Sequence, residues 1–143
     1  MFKTILRSLF GPPREPFHDP VLGELKPASV GWSVRVTRGR DSFEFTIGGA
    51  KQPDAALLAH AREILSNFES FQISVAKCVA AESRDYPDDV KAELAGLQID
   101  NISLCWPDRP DDGMIFFRSP KNDAACWRCD YIARKPQGLG CDT

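Results

Sequence analysis

From Trp32 onward, apolar and polar positions alternate. Trp32, Val34 and Val36 interleave with Ser33, Arg35 and Thr37, the period of two of a half-buried strand. Arg38-Gly39-Arg40-Asp41 reads as a turn. Phe43, Phe45 and Ile47 then alternate with Glu44 and Thr46, so the two runs predict a hairpin. Ahead of it, Val21 to Lys26 reads as a short strand. Residues 11–20 hold four prolines and form an extended lead-in that excludes helix.

Past Gly48-Gly49 the period changes. Leu57, Ala61, Ile64, Phe68, Phe71, Val75 and Val79 step by four and three, with Arg62, Glu63, Ser66, Glu69, Ser70 and Lys77 on the other side. This predicts a helix from about 54 to 82, apolar on one stripe. A straight helix of that length spans about 43 Å, against about 37 Å for the width of a domain this size. A bend is therefore expected near Ser70–Ile73, where Ile73 falls on the polar side. Asp85-Tyr86-Pro87-Asp88-Asp89 opens a second, short helix that runs to Gly96, with Pro and carboxylates in its first turn.

The period then returns to two. Leu97, Ile99, Ile102, Leu104 and Trp106 predict a strand ending at Pro107. Strands at Met114–Arg118 and Ala124–Arg134 follow, separated by turns at 108–113 and 119–123. The tail from Gly138 carries no pattern and is expected to be flexible unless something pins it. The expected architecture is a two-layer α+β domain over residues 19–143. It has an antiparallel sheet of about six strands, order βββααβββ, packed by one long and one short helix. Residues 1–18 are expected to be a tail or short amphipathic helix with the Pro-rich lead-in.

Composition narrows the class. The chain has 143 residues, 43% hydrophobic and 27% charged, which fits one globular domain and excludes a disordered or fibrous chain. A net charge of −2 and a pI near 5.7 argue against a nucleic-acid binder. No stretch approaches the roughly 20 apolar residues of a membrane span. Arg7 interrupts the apolar run of residues 1–10, so no signal peptide is read there. Phe2, Ile5, Leu6 and Leu9 share one side of that segment, which is either a weak membrane-surface foot or a tail. The expected compartment is the cytoplasm, with the five cysteines as free thiols.

Cys126-Trp127-Arg128-Cys129 is the sharpest local signal. On a strand, its two thiols point to opposite faces. They are packing residues, or part of a zinc site with Cys105 and Cys141, or a redox or nucleophilic thiol. His18 and His60 are the two histidines; His60 falls at the boundary of the helical stripe. Asp108, Asp111 and Asp112 lack the spacing of a calcium loop, and Gly48-Gly49-Ala50-Lys51 lacks the rest of a phosphate loop. Five carboxylates against Arg84 and Lys91 leave residues 82–93 at net −3. That makes Asp85, Asp88, Asp89 and Glu93 candidate contacts for a protein with a basic surface. Trp32, Phe43, Phe45 and Trp106 are either core or the lining of a small-ligand pocket between helix and sheet.

Three groups carry a resemblance: Asp19-Pro20-Val21-Leu22-Gly23-Glu24-Leu25 followed by Trp32, the Ala/Leu-rich helix from Asp54, and Trp127-Arg128-Cys129-Asp130-Tyr131 with Pro136-Gln137-Gly138-Leu139-Gly140. This layout resembles small bacterial single-domain families of uncharacterised function. Some of these are suspected immunity proteins that neutralise toxins delivered between bacteria. The resemblance covers roughly residues 17–142, brings no catalytic residues, and implies a non-enzymatic, cytoplasmic domain that binds another protein; separately, no cofactor is expected. The rival expectation is the zinc or redox site on Cys126 and Cys129.

Overall fold

Among the described residues, eight strands lie side by side in the order of the sequence. They are β1 (Phe17–Asp19), β2 (Gly23–Pro27), β3 (Trp32–Arg38), β4 (Asp41–Ile47), β5 (Gln98–Leu104), β6 (Gly113–Arg118), β7 (Cys126–Ile132) and β8 (Lys135–Asp142). Between β4 and β5 come three helices, α1 (Ala55–Ser66), α2 (Phe68–Glu82) and α3 (Asp88–Ala95). The computed structural model describes residues 14–142, so the expectations for residues 1–10 lie outside the described residues.

The fold is α+β, as the periodicities require, with a mixed sheet in place of an all-antiparallel one. Neighbouring strands are antiparallel except β4 and β5, which run parallel, Glu44 opposite Asn101 and Ile47 opposite Leu104. A parallel pair needs a long crossover, and the three helices supply it. The helices cover one sheet face. Trp32, Val34, Val36, Phe43, Phe45, Ile47, Ile102, Leu104, Ile115, Trp127 and Tyr131 point into that layer with Leu57, Ala61, Ile64, Phe68, Phe71, Val75 and Val79. Phe43 stacks on Phe68 with ring centroids 4.6 Å apart.

Four further expectations are corrected. The sheet has eight strands, because Phe17–Asp19 begins it ahead of residue 19 and the tail pairs with β7 as β8, from Ile132 opposite Lys135 to Cys126 opposite Asp142. The long helix breaks at Asn67, ahead of Ser70. Asn67 closes α1 through its backbone N–H, which donates to Glu63 and Ile64, and its side-chain amide donates to Glu63 O at 3.1 Å. Such local side-chain bonding competes with helix continuation. His60 is buried, not a boundary residue. Trp32, Phe43 and Phe45 are fully buried core residues, so no pocket opens among them.

The resemblance-bearing segment at Asp19 has a structural role. The Asp19 carboxylate accepts from the amides of Val21 and Leu22 at 2.9 and 2.8 Å, shaping the β1–β2 turn. Arg62 of α1 donates to the same carboxylate and ties that turn to the helical layer. Burial pushes the Asp19 carboxyl up, but Arg62 and the two amides outweigh it and hold it below the ordinary carboxylate range.

Candidate functional site

The face opposite the helices is built by the other half of each alternation. The strand register aligns its residues in two rungs. One runs Arg35, Glu44, Asn101, Phe116, Arg128, and the next Ser33, Thr46, Ser103, Met114, Asp130. Two loops stand over this face. Ala28, Ser29 and Val30 form one wall and Asp123 to Cys126 the other, enclosing a cleft of about 980 Å³. That volume lies at the upper end of the roughly 300–1,000 Å³ of ligand sites.

The β4–β5 side of the floor is polar. Asn101 Nδ2 donates to Glu44 Oε1 at 3.0 Å and to Thr46 Oγ1 at 2.9 Å. Ser103 Oγ donates to Asn101 Oδ1 at 2.5 Å. The other side is apolar, lined by Trp106, Met114, Phe116 and the Cys105 side chain, with Val30 60% exposed on the wall. Gly48 brings the ends of β4 and β5 together and so sets Cys105 and Trp106 in place. Its N–H donates to Leu104 O at 2.8 Å, and a Cβ there would meet Cys105 O at 2.5 Å. Ser119 is buried against the cleft, and its hydroxyl has no hydrogen-bond partner among the described residues.

The cysteines divide between the faces. Cys126 is exposed at the cleft with Cys105, whereas Cys129 is buried on the helical face, as the alternation of the strand predicts. Cys141, opposite Trp127, also belongs to the helical face. Cys129 instead meets Cys78 of α2, with sulfurs 3.7 Å apart. Burial pushes the Cys105, Cys78 and Cys129 thiols up, away from the reactive thiolate. Among the described residues, no three His, Cys, Asp or Glu side chains gather in an arrangement that would hold a metal.

Asp85, Asp88 and Asp89 are exposed and form no ion pair with a described residue. Asp88 and Asp89 occupy the first turn of α3, where the helix dipole favours carboxylates. Glu93 is half-buried, and its carboxylate accepts from Trp127 Nε1 at 3.1 Å. It is the one candidate of the four engaged by the core. Asp111 and Asp112 brace the β7–β8 turn. Ala133 and Arg134 there have φ of 51° and 63°, and Asp112 Oδ1 accepts from Ala133 N at 2.9 Å while Asp111 Oδ1 accepts from Arg134 Nε at 2.7 Å.

His60 lies under that turn. Its Nδ1 sits 2.7 Å from Pro110 O, so it carries the proton and donates, and its Nε2 faces the Tyr131 hydroxyl at 3.4 Å. Burial pushes its pKa down. The arrangement holds the 105–112 loop against α1.

Sequence reasoning missed the cleft because Glu44, Thr46, Asn101 and Ser103 read as the solvent side of two separate strands. One signal was present. Met114-Ile115-Phe116-Phe117 is apolar at both parities, the pattern of a strand covered on both faces, yet among the described residues helices cover only one face of β6. No family model, curated protein or solved structure matches the chain. No helix among the described residues is long and apolar enough to cross a membrane.

Proposed function

We propose that this chain is a non-enzymatic protein-binding module and that the sheet face opposite the three described helices is its contact surface. One observation carries the reading. Met114 and Phe116 stand half-buried on that face beside Trp106, between two loops, with no layer of the described residues over them. An apolar patch rimmed by polar groups is the common form of a binding surface. Burial pushes the Cys105 thiol at the cleft up, opposite to what a nucleophile needs.

The exposed Asp85, Asp88 and Asp89 complement this reading for a partner with a basic surface, since unpaired surface charge speeds encounter. Neutralisation of a toxin is the instance suggested by the layout resemblance, and it rests on that resemblance. The rival zinc or redox site draws less support, because the strand separates Cys126 from Cys129. The test is a pair of charge insertions read by co-purification of a partner with the tagged full-length chain. Phe116→Arg in the cleft abolishes it. Ile73→Arg, at a position 51% exposed on α2, leaves it intact. Loss with Ile73→Arg and retention with Phe116→Arg would overturn the assignment.

A further inference from the structure

We infer that the cleft takes a basic side chain, lysine or arginine, presented beside an apolar one by a protein partner. This rests on the sheet-face reading above and adds the chemistry of the occupant.

The hydrogen-bond polarity of the floor leads to it. An amide carries two N–H donors, and Asn101 spends both, on Glu44 and on Thr46. Ser103 spends its hydroxyl hydrogen on Asn101. What this network offers the cleft is mainly acceptors: the second Glu44 oxygen and the remaining Ser103 lone pair, against one hydroxyl hydrogen on Thr46. The Ser119 hydroxyl can donate or accept, so the balance of the floor favours an occupant that donates.

The charges point the same way. Glu44, Asp100 and Asp123 line the space with Arg118 as the lining cation. Arg118 is already engaged, donating to Asp100 at 3.0 Å, to Gln98 at 3.0 Å and to Ser42 O at 3.2 Å. Arg35, opposite Glu44 on the same rung, donates to Ser42 at 3.3 Å, and Arg128, opposite Phe116, pairs with Asp130 and Asp142, so Glu44 and Asp123 form no ion pair with a described residue. A cationic head reaching Glu44 lays its methylene stem toward Met114 and Phe116, as long basic side chains do on apolar surface. An apolar neighbour on the partner then meets Trp106 and Val30.

The test is an NMR titration of the full-length chain with two blocked tripeptides, acetyl-Leu-Arg-Leu-amide and acetyl-Leu-Glu-Leu-amide. The arginine peptide shifts the Trp106 indole N–H and the Asn101 side-chain amide and binds about tenfold more tightly than the glutamate peptide, the weight of one charge-assisted hydrogen bond. Glu44→Gln removes that preference. The Trp32 and Trp127 indole signals, held by Gly49 O and Glu93, stay in place and report an intact fold. Equal binding of both peptides would overturn this inference and leave the sheet-face reading standing. Shifts confined to α3, at Asp85, Asp88 and Asp89, would overturn it by moving the basic contact to the helical layer. No shift with either peptide would also overturn it, while the Phe116→Arg and Ile73→Arg comparison still decides the contact face.

Discussion

Asn101 of β5 lies opposite Glu44 across the parallel β4–β5 pair and donates to its carboxylate at 3.0 Å. The same amide holds Thr46, and its oxygen holds Ser103. Three side chains from two strands are thus oriented by one residue. Asn101→Ala is expected to lower stability by about 1 kcal/mol, because these bonds are half-exposed and their net worth is small. Its effect on partner affinity is expected to be larger than on stability. Urea unfolding and binding measured on the same variant check this.

The ion pair of Asp19 with Arg62 is expected to be asymmetric. Arg62 is 37% exposed in its side chain and Asp19 is fully covered. Arg62→Ala leaves a buried carboxylate with amide partners alone and costs about 3 kcal/mol, the low end for a broken buried pair. The Asp19 carboxyl lies below its usual value of 3.8 in the fold. Its contribution is present above pH 3.8 and is lost as pH falls through the folded value. Acid unfolding of the Arg62→Ala variant is expected at higher pH than that of the parent chain.

His60 carries the opposite ionisation into the core. Burial, with Arg134 nearby, pushes its pKa below 6.5, against the Pro110 carbonyl, Asp111 and Glu63, which favour the charged form. As pH falls below 6.5 the unfolded chain takes up the proton first, so stability declines until folded His60 also protonates. His60→Gln is expected to cost about 1–2 kcal/mol at neutral pH and to flatten the stability difference between about pH 7.5 and about pH 5. An unchanged slope in that variant would remove His60 as the source.

The legibility of the chain follows the range of the interaction. The alternations of β3 and β4, the apolar stripe of α1 and α2 and the short α3 are local patterns, and they appear where the periods place them. β8 carries Pro136, Gly138 and Gly140 and no alternation. It is an edge strand, where Pro is tolerated, and its pairing comes from the Ala133–Arg134 turn rather than its own residues. The parallel β4–β5 pair, the Asn101 network and the Pro110 contact of His60 each join residues about fifty or more positions apart, a relationship that no window along the chain contains. The candidate contacts divided likewise: exposure of Asp85, Asp88 and Asp89 follows from local charge, while the bond of Glu93 to Trp127 requires the fold.

The thiols provide a separate prediction. Cys126 is exposed, whereas Cys78 and Cys129 are packed against each other and pushed up by burial. Mild alkylation at neutral pH is expected to label Cys126 first and to reach Cys129 only on unfolding. Cys126→Ser is expected to leave stability within about 0.5 kcal/mol. Rapid labelling of Cys129 in the folded chain, or release of zinc on alkylation, would instead favour the thiol site.

The central claim, that the sheet face opposite the described helices binds a protein, is tested most directly by site-specific photocrosslinking in cells. A photoreactive residue is placed at Phe116 in the cleft, or at Ile73 on the exposed side of α2. The account predicts one discrete crosslinked product from position 116, suppressed by Glu44→Gln, and none from position 73. The same product from position 73, with none from position 116, would contradict it.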